Sequence, residues 1–378
     1  MPQMTRQAWH PFDVITHVLA ERLRGREPSD RLRTIVRTRS SDWESVVGHA
    51  STQFVLPALA AALRDLGLTD LLEPELEGFL LAVHTANLER NRALCNQLAE
   101  VASTLNGVGI EPVLLKGAIR LVDGLYPDPG WRLMVDLDVL VPETEYMPAV
   151  GALQGTGYVA VRAVDPTGKD AKLWRRGLCV EVHKELFWTT RKRQLLCGAE
   201  VITCSQPAAL QCARVRLPSI EHQITHLIGH SQLGHFNYVY GRIALRDRLE
   251  AAVLLRRRPA QIDWDAVHAR FAVAGYRRPL QAFLLAMHDG GLCAPPTGSR
   301  FDPLESLQAR RIALQARSHA LTRMSLFVGW YVVLFQLHVI DHDAGWGHVL
   351  QSLKRFVRHR EVRHRLAKIL AQAGPHLW

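Results

Sequence analysis

Apolar positions in the first hundred residues recur at helical spacing, as in Leu94, Leu98, Val101 and Leu105, and Asn106-Gly107 then supplies a stop signal. The pattern predicts an all-helical lead segment over residues 1–106. It changes at Ile110: Ile110 to Leu115 reads as a short buried strand, followed by a glycine turn at Gly117 and a helix from Ala118 to Leu125. Tyr126-Pro127-Asp128-Pro129-Gly130 breaks that helix. Val135 to Val141 reads as a second strand, Glu143 to Leu153 as a helix, and Tyr158 to Arg162, Ala171 to Arg175 and Leu178 to Lys184 as three more strands. The last two join at Arg176-Gly177, a hairpin signal. From Gln206 onward the spacing is helical again, interrupted near Gly290 to Pro303, and the chain closes on a basic helix. The apolar stretch Leu326 to Ile340 includes Gln336 and His338 and is shorter than the roughly 20 residues a spanning helix needs, so it reads as a buried helix.

These elements describe an α+β chain in three parts: a helical region over 1–106, a small mixed-sheet core over 107–200, and a helical region over 201–378. A length of 378 residues suits two or three such units, and 48% hydrophobic with 22% charged residues excludes a disordered or fibrous chain. The net charge of +10 favours phosphate-bearing partners without choosing among nucleotide, nucleic acid and anionic membrane. Six cysteines without a CxxC pair indicate neither a zinc knuckle nor a disulfide framework, and Met1 to Arg6 lead into no secretory pattern. The expected setting is cytoplasmic.

The densest chemistry lies in Val135-Asp136-Leu137-Asp138-Val139-Leu140-Val141. Strand side chains alternate faces, so Asp136 and Asp138 project to one side while Leu137 and Val139 enter the core. Two acids on one face repel unless a cation joins them, and hard divalent cations such as Mg²⁺ select carboxylate oxygens. In Leu178-Cys179-Val180-Glu181-Val182-His183 the same alternation puts Glu181 with Cys179 and His183 opposite the valines, and makes Glu181 the natural third acid. Upstream, Leu114-Leu115-Lys116-Gly117-Ala118 runs a strand into a turn and helix where backbone N–H groups can meet a phosphate, and Arg132 precedes Asp136 by four residues.

The combination of Leu115-Lys116-Gly117, Tyr126-Pro127-Asp128-Pro129-Gly130-Trp131-Arg132, Asp136-Leu137-Asp138-Val139-Leu140-Val141 and Val180-Glu181-Val182-His183 resembles an uncharacterised bacterial nucleotidyltransferase family of the DNA polymerase β-like superfamily. Weaker resemblance extends upstream through Asn87, Arg90 and Asn91 and downstream through His226 to Asp247. It implies a turn that contacts the triphosphate of ATP or another NTP, with Lys116, Gly117 and Arg132 on the nucleotide side. It further implies two Mg²⁺ ions, or Mn²⁺ in their place, held by Asp136 and Asp138, with Glu181 completing a metal site and helping to activate the acceptor hydroxyl. The superfamily's Gly-Ser turn appears here as Gly117-Ala118, which removes one phosphate hydrogen bond of about 1.5–3 kcal/mol.

Other groups stand beside this reading. His222, His226 and His230 share a helical face, where packing against the sheet is favoured over Zn²⁺ binding. His183, His230 and Arg242 are substrate-side candidates, and Arg242, Arg246, Asp247 and Arg248 read as a surface ion-pair face or as phosphate contacts. The basic run from Lys354 to Lys368 reads as a solvated face, so nucleic acid is the less favoured partner than a small acceptor. Glycosyl transfer from a sugar nucleotide and a catalytically silent interaction protein of the same fold are the alternatives to nucleotidyl transfer.

Overall fold

The computed structural model describes residues 9–335, apart from 26, 38–41, 127, 295, 297, 298 and 300. Its centre is one seven-stranded sheet built from β1 (Val113–Leu115), β2 (Asp136–Leu140), β3 (Val159–Ala160), β4 (Asp170–Arg175), β5 (Leu178–His183), β6 (Gln206–Leu210) and β7 (Ala213–Leu217), in the order β3-β4-β5-β2-β1-β7-β6. β2 runs parallel to β5 and β1 parallel to β7, while the remaining neighbours are antiparallel. With helices before, after and on both faces of this mixed sheet, the fold is α+β.

Alternation along the strands divides the apolar residues between two cores. Leu114, Leu137, Val139, Val180 and Val182 pack with Leu94, Leu98, Val101 and Leu105 of the long helix Pro74–Gly107 and with the helix Tyr146–Gly155. Val113, Leu115 and Leu140 point the other way, into a core shared by the helices Pro11–Arg24, Leu56–Asp65, Ile220–Gly229, Leu245–Arg257 and Arg277–Asp289. Helices from the beginning and the end of the described chain therefore close over the same face of the sheet. On that face, where the apolar cover stops, the acids of β2 and β5 meet a cleft.

Pro74 opens the long helix at a position where the missing N–H costs nothing, and Glu75 and Glu77 complement the dipole of its first turn. Its N-terminal half clamps the loop before β2. Asn87 Nδ2 donates to the Gly130 carbonyl at 2.7 Å, and Asn91 Nδ2 donates to the carbonyls of Pro129 at 2.6 Å and Arg132 at 2.8 Å. Asp128 is held by His84 Nε2 at 2.7 Å and Arg64 Nη2 at 2.9 Å. A Cβ on Gly130 would lie 2.6 Å from His84 Nε2, so only glycine fits beneath the helix there.

Three expectations are corrected. Gln206 to Leu217 forms the β6–β7 hairpin, not a helix: Pro207 is tolerated because β6 is the sheet edge, and the turn is made by Gln211 at φ 53°, with no glycine to mark it. The helix after Gly117 is one short turn, Lys116–Ile119, because Asp123 accepts from Arg120 and from the Leu125 N–H and pulls the chain into the Gly124 bend. Leu326 onward lies in the helix His319–Phe335, but Phe327, Val328, Tyr331 and Val332 are exposed on it. Residues 336–340, the basic run Lys354 to Lys368 and Met1 to Arg6 lie outside the described residues. No described helix is long and apolar enough to cross a membrane.

Candidate active site

Parallel pairing of β2 with β5 sets Asp138 directly beside Glu181 and Asp136 beside Cys179. All four side chains leave the sheet on the face opposite Leu137, Val139, Val180 and Val182. Ligand atoms of Asp138, Glu181 and His183 lie within 4.8 Å of one another, and among the described residues this is the group of three such side chains that could hold a metal ion. Asp136 stands one pleat along the same face, half-buried and outside that group.

Asp138 is 1% exposed, and its Oδ1 accepts from Lys116 Nζ at 2.6 Å and faces His183 Nε2 at 2.8 Å. Burial alone would raise its pKa, but the Lys116 ammonium and the His183 hydrogen bond hold the carboxyl well below the usual carboxylate range. Lys116 is in turn raised, the pull of Asp138 exceeding the opposing burial. Glu181 forms an ion pair with Lys172 of β4 and lies 3.5 Å from His183 Nε2. Asp136 is raised by burial and by repulsion from Asp138. Two acids thus carry lysine counter-ions and the third does not.

These residues fit a hard divalent cation. Two carboxylates and one imidazole converge, and His183 Nδ1 is buried with no hydrogen-bond partner among the described residues, the nearest carboxylate oxygen, on Asp170, being 3.7 Å away. The acid pair suits Mg²⁺, while the imidazole moves the donor set toward Mn²⁺.

The turn that precedes β2 differs from its expected form. Lys116 is the residue in the left-handed region, at φ 48°, a strained conformation for a side chain of this kind, and it aims its ammonium at Asp138. Gly117 packs closely: a Cβ there would lie 2.9 Å from Met134 Sδ and would push that side chain aside, with Arg132 Cζ 3.6 Å away. Arg132 lines the cleft, yet its Nε donates to Glu250 Oε2 at 2.6 Å, so its charge is spent within the protein. Arg242 also lines the cleft, bonded through Nε to Asn237 Oδ1 at 2.8 Å and stacked on Tyr240.

The three histidines do not converge on a metal. His222 turns to Glu200 at 3.3 Å, whereas His226 meets the rings of Phe187 and His230 edge-on. His230 opens a π-turn, His230–Gly234, that ends the helix Ile220–Gly229 and brings His230 and His235 to the cleft. Burial first, and the Lys116 charge next, hold His226 neutral with a pKa of about 3 and push His230 well below its ordinary value. Lys172 and Asp170, which also line the cleft, were missed by sequence reasoning, whereas Arg248, read from the sequence as a surface ion-pair or phosphate-contact residue, is buried in the cleft lining with no ion pair among the described residues. Lys172 carried a readable signal, since it alternates with Ala171 and Leu173 and so shares a sheet face with Glu181.

The cleft has a volume of about 1260 Å³, and its lining includes Arg248, Arg317 and His49 as well as Lys116, Asp136, Asp138 and Glu181. Comparison with curated proteins gives no match to this chain. A family described as "Uncharacterised nucleotidyltransferase" matches residues 39–289, about two thirds of the chain, and the match takes in the loop clamp, the whole sheet and the acid cluster. The chain therefore belongs to this uncharacterised nucleotidyltransferase family.

Proposed function

We propose that this protein transfers a nucleoside monophosphate from an NTP to an acceptor hydroxyl or phosphate, with pyrophosphate leaving. The observation that carries the reading is the convergence of Asp138, Glu181 and His183 on one cleft-facing sheet surface, with Asp136 beside them. Asp138 and Glu181, with His183, would hold one divalent cation, and Asp136 with Asp138 would hold a second. Mg²⁺ or Mn²⁺, when bound, supplies charge stabilisation for the attacking and leaving oxygens of the phosphoryl transfer.

Lys116 and Lys172 then act as place-holders whose ammonium groups are released toward the nucleotide phosphates. Both are flexible point charges and so suited to exchange partners. Glu181 accepts the proton of the acceptor hydroxyl as that oxygen bonds to the α-phosphorus and the bond to pyrophosphate breaks. Gly117 keeps the strand-to-turn backbone close to Met134 and Arg132, and Arg132 supports the cleft floor through Glu250 without contacting phosphate.

Asp136→Asn is the clean variant. Removing a carboxylate whose charge is repelled by Asp138 leaves stability unchanged or slightly raised, whereas Asp138→Asn strands the half-buried Lys116. The test is incubation with each NTP and each sugar nucleotide plus Mg²⁺ or Mn²⁺ and a cell extract, with products read by mass. A nucleotidylated product lost at least about 1,000-fold in Asp136→Asn, equal to roughly 4 kcal/mol of barrier, is expected. A glycosylated product, or an Asp136→Asn enzyme of near-normal rate and unchanged melting temperature, would overturn the reading.

A further inference from the structure

The cleft is larger than the roughly 300–1,000 Å³ usual for one ligand. On the helix Leu245–Arg257, Arg248 lines the cleft while being 2% exposed. Its Nε and Nη2 are buried without a hydrogen-bond partner, and no carboxylate forms an ion pair with it among the described residues. Buried guanidinium donors left unmatched are costly and call for an explanation in a ligand or ion.

The surroundings add positive charge. Arg248 and Arg317 lie over the same Phe12 ring, at 5.4 Å and 5.0 Å from its centroid. Arg317 is paired bidentately with Asp13, its Nε donating to Oδ2 at 3.1 Å and its Nη2 to Oδ1, while its Nη1 donates to the Ala313 carbonyl at 2.8 Å. His10, His49 and His319 complete the wall. Burial and then Arg317 bring Arg248 down to about 10, and burial with the neighbouring imidazoles brings His49 down to about 4. An anion placed here would offset the repulsion of Arg248 by Arg317 and of His49 by the neighbouring imidazoles.

We propose that this wall binds an anionic group, phosphate or carboxylate, carried by the acceptor, with Arg248 as its contact and Arg317, held by Asp13, adding positive charge beside it. The inference rests on the nucleotidyltransferase reading, and it names the substrate class that reading leaves open. A guanidinium fork matches the paired oxygens of both groups. The assignment to the acceptor rather than the NTP follows from separation within the cleft. Arg248 turns to Phe12, whereas Glu250, two residues on and so on the other side of the helix Leu245–Arg257, holds Arg132 beside Gly117 and the acid strand. The acceptor is accordingly a phosphorylated or carboxylated molecule, and a neutral or cationic one is disfavoured.

The test is calorimetric titration of inorganic phosphate and of acetate into the full chain, repeated with saturating Mg²⁺ and an α,β-methylene NTP analogue. One of the two anions should bind, should bind equally well beside the analogue, and should weaken at least about tenfold in Arg248→Met and severalfold in Arg317→Gln. Arg317 is partly exposed, so Arg317→Gln decides the matter where Arg248→Met fails to fold. Absence of binding by both anions, unchanged affinity in the arginine variants, or competition with the analogue would overturn the proposal, competition meaning that the wall holds the triphosphate. A chain that binds phosphate through Arg248 but never binds the analogue would instead defeat the nucleotidyltransferase reading, so the two failures are told apart.

Discussion

Glu250 and Asp138 are both acids with almost no exposure, and the protein surrounds each with cations, yet the two networks differ in kind. Glu250 takes Arg120 Nε at 3.0 Å and Arg132 Nε at 2.6 Å, and Arg120 reaches on to Gln223 Oε1 at 2.9 Å and to Asp123. Guanidinium groups keep their charge and present a rigid fork, so this network is closed and joins the turn after β1 and the loop before β2 to the helix Leu245–Arg257. Asp138 is matched instead by an ammonium and an imidazole, groups that exchange partners readily, and it faces the cleft. A buried acid with permanent partners is a fastener, and one with exchangeable partners beside open space is a site.

The largest expected effect breaks the fastener. Glu250→Gln leaves two buried guanidinium groups facing a neutral amide and should cost about 3–5 kcal/mol, the usual penalty for removing one member of a buried ion pair. Urea unfolding measures it. A loss below about 1 kcal/mol would show that Arg120 and Arg132 find other partners and that the network is not closed. Asp123 and Gln223 remain as partners for Arg120, so the greater part of the loss should fall on Arg132 and its loop.

A smaller effect reports how far the Lys116 charge reaches. His226 has a folded pKa of about 3, set by burial and then by Lys116, against about 6.5 in an unfolded chain. Between those values the unfolded state binds a proton that the folded state refuses, so stability falls as pH drops below about 6.5. The slope is up to roughly 1.4 kcal/mol per pH unit for this one residue. Midpoints of urea unfolding at pH 7, 6 and 5 should converge less steeply for His226→Asn than for the unaltered protein. Parallel slopes would mean that His226 charges in place, and that the Lys116 ammonium is screened from it.

Much of the site was legible because strand alternation is strict. Asp136, Asp138, Glu181 and His183 fall on one face by counting alone, and the register that sets Asp138 beside Glu181 adds only which strand lies next to which. The roles of Lys116 and Arg132 were not legible, since a positive charge in sequence does not reveal its partner. Arg132 meets Glu250 across 118 positions of sequence, and Lys116 meets Asp138 through a backbone conformation that no glycine announces. The β6–β7 hairpin escaped for a related reason: Gln211 adopts a left-handed turn without the usual turn residues, and Pro207 and two alanines in β6 weaken its strand signal. Asn87 and Asn91 belonged to the motif, and only the structure shows that they grip the loop carbonyls and stand apart from the cleft.

The smallest expected effect tests whether a lysine partner is a place-holder. Lys172 pairs with Glu181, but its side chain is 53% exposed, so the pair contributes at most about 1 kcal/mol to folding. Lys172→Met should therefore leave the urea midpoint almost unchanged. Its effect belongs at the acid cluster, where one positive charge beside Glu181 disappears and the competition for the carboxylate ends. Mn²⁺, followed by paramagnetic resonance, should then bind severalfold more tightly than to the unaltered protein, with the gain shrinking as salt screens the charge. A drop in Mn²⁺ affinity would reverse the interpretation: Lys172 would be holding Glu181 in its ligating position, and the exchangeable partners that distinguish Asp138 from Glu250 would be limited to Lys116 and His183.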